Sequence, residues 1–162
     1  RGAFGAAGEV GNCRMDEIVL KKLSARRRDT LENLASGRGI TDIYIKLGGK
    51  KKIDGEVPDA LTIAKMAKEG DSLACETFNI EGRYLGQVIA SSCMLLNPEK
   101  VIIGGGVAMS FELFKQSLLE TVAQETRVFA MGEPVKIQVT ALGYDAGLLG
   151  AAAVALKEEG DT

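Results

Sequence analysis

The segment Pro98-Glu99-Lys100-Val101-Ile102-Ile103-Gly104-Gly105-Gly106-Val107-Ala108 restricts the fold more than any other part of the chain. A β-branched run without alternation lies between a proline and three glycines. This is the pattern of a short strand covered on both faces, and such strands belong to α/β sheets. Glycine lacks a Cβ, so Gly104, Gly105 and Gly106 can take positive φ and lie flat against a planar or anionic group beyond the strand's carboxyl end. Nucleotides are the usual occupants of such a loop. The same glycines would also serve a tight strand-to-helix turn that binds nothing, so the rest of the chain has to decide.

A chain of 162 residues, 46% apolar and with a net charge of -2, is long enough for one domain with a real core. That balance excludes a disordered chain or one that strongly seeks nucleic acid. Cys13, Cys75 and Cys93 make an odd count with no C-x-x-C pair, which argues against a disulfide framework or thiolate metal site and fits a reducing, cytoplasmic setting. No apolar run reaches transmembrane length and no signal segment opens the chain, so no membrane association is expected. The first residue is Arg1, in a glycine-rich stretch that reads as a continuation, so a fragment or processed piece is expected.

Arg1 to Asn12 carries four glycines, small residues and one acid, a composition suited to a loop held inside a site. Met15 to Leu23 leaves helix and strand both open. After the basic run Arg26-Arg27-Arg28, the segment Asp29-Thr30-Leu31-Glu32 can cap a short helix ending at Ala35. Beyond Ser36-Gly37, Ile40, Ile43, Tyr44 and Leu47 mark one face of a second helix that ends at Gly48-Gly49. Lys50-Lys51-Lys52 reads as a solvated turn. Val57-Pro58-Asp59 begins a helix carrying Leu61, Ala64 and Ala67, stopped by Gly70.

The longest element begins at Asp71 or Ser72. Leu73, Thr77, Ile80, Tyr84, Val88 and Leu95 follow helical spacing, and Phe78, Leu85, Ile89 and Leu96 widen the apolar surface. A central, largely buried helix is expected, ended by Asn97-Pro98 and leading into the strand. Ser110 then caps a helix with Phe111, Phe114, Leu118 and Val122 buried, ending near Arg127. Val135, Ile137 and Val139 alternate with polar residues as in an edge strand. Ala146 to Leu156 forms a closing helix of small and apolar residues.

The order of these motifs resembles the carboxyl-terminal half of the ROK family, named for repressors, open reading frames and sugar kinases. Gly8-Glu9-Val10-Gly11-Asn12 is similar to the family's Gly-Glu-Ile-Gly-His, and Leu31-Glu32 through Ala35-Ser36-Gly37 to its Leu-Glu-x-x-Ala-Ser-Gly. Leu96 to Val107 resembles its adenosine loop, and Leu142-Gly143 with Ala146 to Ala152 its closing helix. The resemblance implies an α/β fold of the actin-like ATPase (ribonuclease H-like) class, a mixed sheet with packed helices, here without its amino-terminal lobe. Residues 1–145 would be the nucleotide- and sugar-binding lobe, and 146–162 a closing helix that packs on the amino-terminal lobe.

The resemblance further implies that Glu9 and Glu32 accept hydrogen bonds from sugar hydroxyls and that the backbone of Gly104, Gly105 and Gly106 lies against adenosine. Carboxylates are multiple acceptors suited to a diol edge and reject analogues lacking the hydroxyl. Glu32 could instead complete a capping box with Asp29, whereas Glu9 has no evident helix to cap. Asn12 replaces the family's histidine, and Leu23, Ala25 and Thr30 stand in the region of its cysteine cluster, so no zinc is expected. Asn12 can still hydrogen-bond a sugar hydroxyl; the exchange also fits a changed substrate or a decayed site.

The family's phosphate loops and catalytic aspartate precede the position of Arg1, so no catalytic residue is assigned within this chain, and the chain alone is expected to be inactive. The implied intact protein is an ATP- and Mg2+-dependent kinase of a hexose or amino-hexose, and a homodimer. The alternatives are the sugar-sensing lobe of a transcriptional regulator, the one case in which nucleic acid is a partner, and an inactive remnant.

Overall fold

The computed structural model describes residues 8–15, 30–50, 55–126 and 135–160. Within them lie helices α1 (Leu31–Leu34), α2 (Gly37–Lys46), α3 (Ala60–Lys68) and α4 (Ser72–Leu96), strand β1 (Lys100–Ile103), helix α5 (Phe111–Glu125), strand β2 (Lys136–Val139) and helix α6 (Ala146–Gly160). The expectations for residues 16–23, Arg26-Arg27-Arg28, Asp29, Lys51-Lys52 and Arg127 lie outside the described residues.

The central helix is α4. Asp71 opens it, its Oδ1 accepting from the Ala74 amide at 2.8 Å, and Asn97 closes it in the left-handed conformation at φ 44° just before Pro98. One side of α4 buries Ala74, Phe78, Ile89 and Cys93 with Ile40, Tyr44, Ile63, Phe114 and Leu118. The other buries Ile80, Tyr84 and Val88 with Leu31, Leu34 and Ile43. Two apolar clusters therefore share one helix, which explains why its apolar surface exceeds a single stripe.

The approach of α5 depends on Gly86, where a Cβ would stand 2.6 Å from Thr121 Cβ and 2.9 Å from the Leu118 carbonyl oxygen. Leu95 and Leu96, read from their spacing as part of this apolar surface, are exposed; the last buried residue of α4 is Cys93. Spacing fixes the direction of a side chain, not what lies opposite it.

The strands β1 and β2 are parallel, pairing Lys100 with Lys136, Val101 with Ile137, Ile102 with Gln138 and Ile103 with Val139. Chain order puts α5 between them, the long connection that parallel neighbours require. Among the described residues the sheet has two strands and is parallel. The exposure along β1 corrects the expectation of a strand covered on both faces. Val101 and Ile103 pack on the core, whereas Ile102 is 63% exposed. Successive strand residues point to opposite faces, so a continuous apolar run needs two covers, and the described residues supply one.

In α3 the buried stripe is Ile63, Ala64 and Ala67, while Leu61 is 68% exposed. Leu61 lies two residues before Ile63, so on a helix turning roughly 100° per residue the two are on nearly opposite sides. Along α6, Leu148, Leu149, Val154 and Leu156 are exposed. No helix among the described residues is long and apolar enough to cross a membrane.

Candidate functional site

At the end of β1 the chain enters Gly104, Gly105 and Gly106, then a 3-10 turn from Gly106 to Ser110 that leads into α5. Gly105 has φ 83° and ψ -178°, a conformation that is essentially glycine's alone. A Cβ there would meet nothing within 4 Å, so the backbone conformation and not packing requires the glycine.

The loop borders a cleft of about 470 Å³ whose opposite wall is the junction of α1 and α2, at Ala35, Ser36 and Gly37. Ser36 caps α2, its Oγ accepting from the Gly39 amide at 3.1 Å. Thr41 Oγ1 donates to the Pro58 carbonyl at 3.2 Å and ties α2 to the segment before α3, whose first turn brings Ala60 and Leu61 to the same cleft. Met109 closes it from the glycine side and is 62% exposed. Leu61 and Met109 were not singled out as site residues from the sequence. The available signal was the off-stripe position of Leu61; for Met109, its place just behind the glycines.

A second group of residues gathers at the other end of α1. Gly8 to Cys13 forms a tight turn, with Asn12 N donating to Glu9 O at 3.1 Å and Cys13 N to Val10 O at 3.0 Å. The Leu31 amide donates to Cys13 O at 3.0 Å, and Arg14 forms an isolated antiparallel bridge with Thr30, so the turn is fastened to the start of α1. A Cβ on Gly11 would stand 3.6 Å from Glu32 Cβ. The fold therefore brings Glu32 beside the turn that carries Glu9 and Asn12, and all three are exposed.

Neither acid is used as a helix cap. Glu9 precedes the turn without a side-chain cap bond, and the cap position of α1 is Thr30, whose Oγ1 accepts from Asn33 Nδ2 at 3.0 Å. That places Glu32 second in the helix, not at the third position where a capping box would put it. Glu32 lies three residues before Ala35, which lines the cleft.

One further acid stands apart. Glu81 is fully buried in α4, with no hydrogen-bond partner for either carboxylate oxygen among the described residues, and burial pushes its carboxyl well above the usual carboxylate range. Among the described residues no group of three His, Cys, Asp or Glu side chains could hold a metal ion.

The family model described as ROK family matches residues 1–158. The chain is similar to a glucokinase of Halalkalibacterium halodurans, 28% identical over 160 residues, covering 92% of this chain and 47% of that protein. It is also similar to a xylose repressor of Caldicellulosiruptor bescii, 32% identical over 169 residues, covering 98% of this chain and 41% of the repressor. The structure resembles the crystal structure of a ROK hexokinase from Thermus thermophilus with a TM-score of 0.77 and 28% identity, over 100% of this chain and 51% of that one. The chain thus spans about half or less of the length of these relatives.

Proposed function

This chain belongs to the ROK family, and on that premise we propose that it is the sugar- and nucleotide-binding part of a cytoplasmic, ATP-dependent sugar kinase. The observation that carries the reading is the meeting of the turn at Gly11 with Glu32, which gathers two separate motifs on one surface, with Ala35 of the glycine-lined cleft three residues beyond Glu32. Similarity to a glucokinase supports the kinase class.

In this reading Glu9 and Glu32 accept hydrogen bonds from the hydroxyls of a hexose or amino-hexose, and Asn12 both donates and accepts at the same edge. The chain's contribution to rate is positioning: fixing the sugar in one orientation removes the entropy cost of a bimolecular encounter. Gly104, Gly105 and Gly106 present backbone without side chains to the nucleotide, and the residues present fit that task, since Gly105 adopts a conformation closed to others and opens onto a mostly apolar cleft. ATP supplies the γ-phosphoryl group and a magnesium ion that accompanies its phosphates. The general base and phosphate loops belong to an amino-terminal lobe of the full-length protein, on which residues 146–162 pack, and the protein works as a homodimer.

The test is hexose-dependent ADP formation by the full-length protein. A second reading, a sugar-responsive transcriptional regulator, is favoured by the 32% identity to a xylose repressor. Sugar-dependent release of operator DNA without ADP formation would select it.

A further inference from the structure

We propose that the cleft selects its base by packing and not by side-chain hydrogen bonds, with Leu61 and Met109 as its two jaws, so that adenine and guanine nucleotides are accepted almost equally. This rests on the kinase reading and deepens it. Leu61, in the first turn of α3, and Met109, in the turn behind the glycines, are 68% and 62% exposed and line the same cleft of about 470 Å³. Two large apolar side chains from separate elements, uncovered and facing one concave site, suit the two faces of a flat aromatic ring. Methionine is well adapted to that task because its thioether is flexible and polarizable.

What the cleft lacks decides its selectivity. Among the described residues no charged side chain lines it, and its polar side chains are two hydroxyls, Ser36 and Ser110. Ser36 Oγ already accepts from the Gly39 amide. Ser110 Oγ makes no cap bond, but a hydroxyl both donates and accepts, so it can meet the amino group of adenine or the carbonyl of guanine alike. The glycine backbone offers donors and acceptors that suit the ribose and phosphate oxygens of either nucleotide. Strong rejection of an analogue requires a site group that the wrong ligand leaves unpaired, and among the described side chains the one group available for this is the Ser110 hydroxyl, which serves either base.

The test is calorimetric binding of the non-hydrolysable analogues AMPPNP and GMPPNP to the full-length protein, in the original and the Leu61→Ser and Met109→Ser forms. The dissociation constants of the two analogues should lie within about tenfold of each other, as an apolar pocket discriminates weakly. Each variant should weaken both by roughly tenfold, leaving their ratio and hexose affinity unchanged, and Ser110→Ala should leave the ratio unchanged too. Because both jaws are exposed, melting curves should show the variants folded. If the original protein binds neither analogue, the kinase reading falls and this inference with it. If it binds AMPPNP more than a hundredfold tighter than GMPPNP, or if both serine variants bind normally, the packing account is overturned while the kinase reading stands.

Discussion

Gly11 stands against Glu32, with 3.6 Å between the Glu32 Cβ and the place a Cβ would occupy on the glycine. Residues far apart in the chain thereby form one surface, held by the Leu31 amide on the Cys13 carbonyl. In the proposed function Glu9 and Glu32 touch sugar and are exposed, so changing them should cost binding and not stability. Each of Glu9→Gln and Glu32→Gln should lower kcat/KM for the hexose by roughly 10- to 150-fold, the equivalent of about 1.5–3 kcal/mol for one hydrogen bond to a charged group. The melting temperature should stay within a degree or two. Steady-state kinetics with a thermal melt checks this, and unchanged kinetics in both variants would remove these acids from the site.

Gly105 offers a different balance. Because φ 83° with ψ -178° is closed to other residues, Gly105→Ala should lose about 1–3 kcal/mol of stability even though a Cβ there meets no neighbour. Gly104 has ordinary φ, and its Cβ would stand 3.6 Å from Thr140 Cγ2, a normal contact. Gly104→Ala should therefore keep its stability and still weaken nucleotide binding, as a methyl group intrudes between backbone and ligand. Urea denaturation and nucleotide titration of both variants separate strain from obstruction; full nucleotide affinity in Gly104→Ala would favour a turn that binds nothing.

Glu81 gives a pH dependence of known sign. Burial holds its carboxyl protonated well above the usual carboxylate range, while the unfolded chain releases that proton near an ordinary pKa. Above that ordinary pKa the unfolded state binds fewer protons, so stability declines as pH rises, until the folded carboxyl ionises too. The slope is at most about 1.4 kcal/mol per pH unit. Glu81→Gln, neutral throughout, should remove this slope and gain on the original protein from pH 5 to pH 8. Melting temperatures across that range decide it; parallel curves for the two proteins would contradict the buried neutral acid.

On α6, Leu148 is 73% and Leu149 48% exposed, and Val154 and Leu156 share their exposure. Burying a leucine is worth about 1.5–3 kcal/mol, so the 162-residue chain by itself should associate, most simply as a two-fold dimer. Leu148→Ser or Leu149→Ser should raise the dissociation constant at least tenfold. Light scattering against concentration reports it, and a monomer at high concentration, or two variants with unchanged constants, would refute the role given to this helix.

How much of this was legible in the sequence depends on whether a feature is local. Asp71 and Asn97-Pro98 bound α4 because caps and prolines act on the neighbouring backbone, and the observed limits agree. The same holds for β1 ending at the glycines. Burial was less legible, because it depends on what lies opposite. Leu61, Leu95, Leu96 and Ile102 are apolar at regular spacings, yet nothing described covers them. Glu81 is the reverse case. It falls four residues after Thr77 and seven before Val88, on a buried arc of α4, a signal that its charge obscured. The approach of Glu32 to Gly11 is a tertiary fact, anticipated only through the family resemblance.

The most direct test of the central claim is hexose-dependent ADP formation by the full-length protein, measured across a panel of hexoses and amino-hexoses with the original sequence and with Glu32→Gln. The account predicts ADP release that requires one of these sugars and falls at least tenfold in kcat/KM in the variant, as expected for one lost charged hydrogen bond. ADP release independent of every sugar, or sugar-dependent turnover untouched by Glu32→Gln, would contradict it.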